Sequence, residues 1–277
     1  MTVSDKYSLA VLIIFITISI PTAFVTYKHG TRGWALLGWG YLLVFCSLKI
    51  IGSGLALSDT PSSGASIVSS IGLSPLLLAL SGVLHEAKFY HADPEKRNAN
   101  RRTDLLFVLK YHTFTMLGVV LVAVGMSRIM GNASQETVSK GWTIAIVGAV
   151  ILFLSWVILL AAAGFSVFLG GLSSDGRSKQ QRAATMLLVA VLAALPFVGV
   201  RVIATLAYLA TKNSSIGAAT GSVVAKVWLY LFEELAATLI LVINGILTMN
   251  ISKLSNNADG GSYERQQMDV EQPFERK

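Results

Sequence analysis

The stretch that decides the fold is WLYLFEELAATLILVIN, from Trp228 to Asn244. It is apolar enough to cross a bilayer, yet it carries two adjacent carboxylates, Glu233 and Glu234, near its middle. An acid at the centre of a membrane helix costs at least ~2.5–3.5 kcal/mol on insertion scales, and it is tolerated where it faces other helices, water or a counter-ion. Candidate counter-ions lie upstream, where Lys49 and Arg201 each interrupt another long apolar run. The reading that follows is a helical bundle in a membrane with a charged centre.

Composition agrees. Of the 277 residues 53% are apolar and 13% charged, and the mean hydropathy is +0.64. Soluble domains carry about 25% charged residues. Several apolar runs exceed the ~18 residues that mark a spanning candidate. The net charge of +7 does not point to nucleic acid, because the basic residues cluster in short segments between apolar runs, as topology signals do. The single cysteine, Cys46, lies in an apolar run and reads as a packing residue.

The pattern predicts an all-α membrane protein of seven transmembrane helices, at about 7–27, 34–57, 64–84, 105–126, 142–169, 183–209 and 221–249, followed by a disordered cytoplasmic tail over 250–277. The first run is too long for the apolar core of a signal peptide and is read as a span. With the N-terminus outside and the C-terminus cytoplasmic, fourteen basic residues of the connecting segments and tail fall inside and four outside. That is a strong positive-inside bias. Lys88, Lys96, Arg97, Arg101 and Arg102 form a basic patch in the third loop, 85–104, suited to anionic lipid or a cytoplasmic partner. The same orientation places two glycosylation sequons, at Asn132 and Asn213, on the outside.

At 3.6 residues per turn, Lys226, Tyr230, Glu233, Ala237, Ile240 and Asn244 share one face of the last helix, which is expected to look into the bundle. Glu234 stands about 100° round from it, with Thr238 one turn on. Pro196 implies a kink ahead of Arg201, and Gly52 and Ser53 beside Lys49 allow close helix approach. The ligand or ion-pair centre is therefore expected from Lys49, Arg201, Glu233, Glu234, Tyr230 and Asn244, two cations against two carboxylates. An inter-helix clamp and a ligand site are both open at this point.

Chemistry of other kinds finds little support. All four histidines, His29, His85, His91 and His112, fall near the cytoplasmic side. His85-Glu86-Ala87-Lys88-Phe89 starts like a zinc-protease helix but has Phe where the second His belongs. His29, His85 and His112 read as interfacial residues, with a shared cytoplasmic cluster as the alternative. No metal site, cofactor motif, phosphate loop or nucleophile set stands out, and an enzyme is not expected.

The strings Lys28-His29-Gly30 with Gly33-Trp34, Lys49-Ile50-Ile51-Gly52, Ile71-Gly72-Leu73-Ser74-Pro75-Leu76-Leu77, Pro196-Phe197-Val198-Gly199-Val200-Arg201 and Glu233-Glu234 are together similar to a known pattern. Over about residues 5–250 the chain resembles a family of fungal seven-helix integral membrane proteins of unknown function. The resemblance implies the seven-helix fold and a fungal source, and it brings no activity. That family tends to have Arg where this chain has Lys49, so the charge is kept and the planar fork is lost. The functional expectation is a receptor- or sensor-like bundle in the plasma membrane or an endomembrane, with a small lipophilic ligand. A transporter or lipid translocator using the same charges is the alternative, and an intramembrane enzyme the weaker one.

Overall fold

The computed structural model describes residues 2–29, 35–58, 73–92, 94–131, 134–168, 179–218 and 221–251. Among the described residues there are seven long helices and no strand. They are α1 Val3–His29, α2 Leu36–Leu57, α3 Leu73–His91, α4 Pro94–Met130, α5 Gln135–Ser166, α6 Lys179–Thr211 and α7 Val223–Thr248. Six of the seven, all but α3, are long and apolar enough to cross a membrane. The protein is a multi-pass integral membrane protein. In lipid the backbone must satisfy its own hydrogen bonds, which favours long uninterrupted helices. Hydroxyls follow the same rule: Thr22 donates to Ile18 O, Thr26 to Thr22 O and Thr238 to Glu234 O, one turn back in each case.

Helix α3 is the axial element. Every residue from Pro75 to Ala87 is buried, polar Ser81, His85 and Glu86 included, as in a helix packed on all sides. It packs against α2, α4, α5 and α6. Around it, α1 pairs with α2, α4 with α5, and α6 with both α5 and α7, while α7 returns to α1. The outer faces carry Ile16, Ile20, Phe24, Val120, Ile203, Ile243 and Leu247, exposed apolar side chains of the kind lipid covers.

Several boundaries differ from those expected. The segment 85–104, read as a loop, is mostly helical: α3 continues to His91, and α4 starts at Pro94. Proline suits a first turn, where its missing N–H removes a donor that lacks a partner anyway. Lys88 therefore sits in the last turn of α3, and Lys96, Arg97, Arg101 and Arg102 lie on the first turns of α4. The polar composition that suggested a loop is that of a helix extending past the apolar zone. The tail expected over 250–277 lies outside the described residues from 252 onward, as does the first part of the third expected helix.

Among the described residues two five-residue π turns lie in the helices, Leu36–Gly40 in α2 and Val227–Leu231 in α7. Such turns insert one extra residue and often mark functional sites. The first lies where α2 crosses α3 at backbone contact. A Cβ on Gly82 would stand 2.3 Å from Gly38 N and 2.4 Å from Gly38 Cα, so no side chain fits between the two helices. Close approach through small residues is a usual mode of helix association in membranes.

Gly82→Ala is expected to lower unfolding stability in detergent by about 1–3 kcal/mol through overpacking. Gly54→Ala, with nothing within 4 Å of the new Cβ, serves as the control and should unfold like the parent. Equal melting of the two variants would contradict the crossing.

Candidate functional site

Arg201 on α6 is 1% exposed and Glu234 on α7 is 1% exposed. Arg201 Nε donates to Glu234 Oε1 at 3.1 Å. Glu234 Oε2 is in ion-pair contact with the Lys49 ammonium of α2. The guanidinium also donates through Nη1 to Thr205 Oγ1, and it lies 4.2 Å from the centroid of the Tyr230 ring, a cation–π arrangement. Tyr230 is anchored in turn, its hydroxyl donating to Ile216 O. One carboxylate thus ties α2, α6 and α7 together. Removing one member of a buried pair leaves an uncompensated charge, a loss of about 3–5 kcal/mol.

The structure draws in only part of the expected centre. Of the two glutamates, Glu234 contacts the cations, whereas at 3.6 residues per turn Glu233 would share the inward face. The π turn over Val227–Leu231 shifts the register by one, and the buried positions beyond it run Tyr230, Glu234, Ala237, Thr238, Leu241 and Gly245. Glu233 is half-buried on the shoulder of α7. Asn244 also stays out of the centre, its amide donating to Ile240 O at 2.8 Å within its own helix. Among the described residues the centre holds two cations against one carboxylate, where two against two was expected.

A second buried polar group lies further along α7. His29 of α1, Trp39 of α2 and Glu86 of α3 are 3%, 0% and 1% exposed. His29 Nδ1 lies 2.7 Å from Glu86 Oε1, and Trp39 Nε1 donates to Glu86 Oε2 at 2.7 Å. His29 Nε2 lies 2.9 Å from the carbonyl of Gly245. A carbonyl only accepts, so Nε2 is the donor in that contact. Gly245 is in the last turn of α7, where carbonyls lack backbone donors; His29 supplies one, beside a long contact from the Thr248 hydroxyl at 3.5 Å. Glycine is required there because a Cβ would stand 2.6 Å from the Trp39 ring and from Val25 Cγ1.

Sequence reasoning missed this knot. Glu86 was read only as part of a failed zinc motif, and His29 as interfacial. The available signal was a third acid ending an apolar run, one turn after a glycine, with Trp39 next to another glycine. The three histidines do not share one cluster. His85 and His112 lie near each other, with ring centroids 6.2 Å from Phe107 and 5.4 Å from Tyr41 in tilted arrangements, while His29 is turned to Glu86. Among the described residues no group of His, Cys, Asp and Glu side chains is placed to hold a metal ion.

The remaining expected sites are peripheral. Asn213 is exposed and caps a single 3₁₀ turn, Ser214–Ile216, its Oδ1 accepting from Ser215 N at 3.1 Å. Asn132 lies outside the described residues. Lys88 is half-buried.

A narrow cleft of about 10 Å³, room for about one water, is open in part to its surroundings and reaches the clamp from the end of the bundle where α4 and α6 finish. Arg201, Thr205 and Tyr230 form its polar floor, and Val122, Met126, Leu209 and Ala218 its apolar walls. The arrangement presents a buried cation and an aromatic face beneath an apolar mouth.

The two adjacent acids should separate cleanly in thermal unfolding. Glu234→Gln is expected to cost about 3–5 kcal/mol, and Glu233→Gln no more than about 0.5 kcal/mol, as for a side chain without a partner to lose. The reverse order would contradict the assignment.

No curated protein and no solved structure matches the chain. One family model does, the Domain of unknown function (DUF7702), over residues 1–251. The chain, an all-helical membrane protein knotted at two buried polar centres, belongs to that family.

Proposed function

We propose that the chain is a receptor- or sensor-like seven-span membrane protein that takes a small lipophilic ligand above Arg201 and Tyr230, where the narrow cleft widens to admit it. The N-terminus is outside and the C-terminal region cytoplasmic, a sidedness supported by the bias of basic residues between the two sets of connecting segments. One observation carries the reading: a nearly inaccessible guanidinium and a tyrosine ring form the floor of an apolar cleft at the bundle end. Ligand pockets commonly combine apolar walls with a few fixed polar groups. The clamp beneath the floor joins α2, α6 and α7, so a ligand that shifts Arg201 acts on three helices at once. On the other side, the basic residues around Lys88 and the start of α4 are suited to a cytoplasmic partner.

The reading is tested by native mass spectrometry of the protein released from mild detergent. A retained small molecule is expected on the parent protein, and its loss in Ala218→Trp, which fills the cleft mouth and leaves the clamp in place. A parent with no bound molecule, or an Ala218→Trp variant that keeps it, would contradict the reading.

A further inference from the structure

Glu233 is the acid that the clamp leaves over. Its Oε2 is buried and has no hydrogen-bond partner among the described residues, and it makes no ion pair there. The cations of the clamp are committed elsewhere, Lys49 of α2 and Arg201 of α6 both contacting Glu234. On α7 itself Lys226 stands about two turns earlier, and no ion pair joins it to Glu233. On α1 the charged groups are at the ends: Asp5 and Lys6 in the first turn, Lys28 and His29 in the last, with His29 bound to Glu86. Tyr7 is the ionisable group of α1 within electrostatic reach of Glu234.

The flank of Glu233 is apolar. Trp228, Phe232, Leu239 and Ile243 are 59%, 43%, 39% and 54% exposed on the same helix, a stripe that faces lipid in a membrane-spanning α7. A carboxylate at this place would hold a full charge with one oxygen shut away from any donor, beside hydrocarbon. The neutral acid places far less charge on that oxygen.

We propose that Glu233 is an intramembrane proton-binding site, whose carboxyl group holds an exchangeable proton inside the lipid-covered part of α7. The site is distinct from the clamp, although the two acids are neighbours in sequence. Glu234 has two cations against it, and Glu233 has none among the described residues. The proton is the ligand, and the role follows from the position: a helix tied at two levels to the rest of the bundle carries one titratable group on its outer shoulder.

Infrared difference spectra of the full chain in lipid vesicles at neutral pH test the proposal. The parent minus Glu233→Gln difference should contain the C=O stretch of a protonated carboxylic acid, moving to lower frequency in D2O. Glu233→Gln keeps the shape of the side chain and should melt with the parent, so a folded sample is available. Loss of ionised-carboxylate bands alone in Glu233→Gln would overturn the proposal. So would a protonated-acid band that is unchanged in Glu233→Gln.

Discussion

The carboxylate of Glu234 lies between a guanidinium and an ammonium contributed by two other helices, and the arrangement of α2, α6 and α7 depends on it. Lipid supplies no water to solvate any of the three groups, so each is stable at depth only in the presence of the others. The geometry reflects this. Arg201 uses Nε for the carboxylate, Nη1 for Thr205 and its flat face for Tyr230. Lysine at position 49 offers a point charge on a flexible stem and needs no such fork. Two cations on one carboxylate also leave the centre formally positive among the described residues, directly below a cleft.

Helix α7 is held at a second level. Gly245 lies eleven residues beyond Glu234, about 16 Å along the axis at 1.5 Å per residue. Its carbonyl receives the His29 ring that Glu86 holds from the other side. The knot joins α1, α2, α3 and α7, and the clamp joins α2, α6 and α7, so α2 and α7 pass through both. Helices α4 and α5 are attached by other means: small residues along their shared face, and the Trp156 indole of α5, which donates to Leu195 O of α6 at 2.9 Å.

Much of this was legible in the sequence. Long apolar runs with rare charges identify membrane helices because the cost of a buried charge is large compared with any other local preference. The same cost marked Lys49, Arg201 and the Glu233–Glu234 pair as belonging together. Which glutamate turns inward was not legible, because a single inserted residue in the turn Val227–Leu231 rotates everything after it, and no residue type announces a π turn. The helical extension of α4 through Lys96 and Arg102 was hidden for a different reason: outside the apolar zone, a polar helix and a polar loop have similar composition. The His29–Glu86–Trp39 knot joins the first two helices to Glu86 and the Gly245 carbonyl, both far along the chain, and the backbone crossing at Gly38 and Gly82 brings α2 and α3 together there.

The account stands on energetic coupling between Arg201 and Glu234, and a double-mutant cycle measures it most directly. Unfolding free energies of the parent, Arg201→Leu, Glu234→Leu and the double variant, in one detergent, give the pairwise term. The predicted result is a double variant less destabilised than the sum of the two single losses, by about 0.5–3 kcal/mol. Losses that add to within about 0.3 kcal/mol would show that the two side chains do not support each other, and would contradict the clamp.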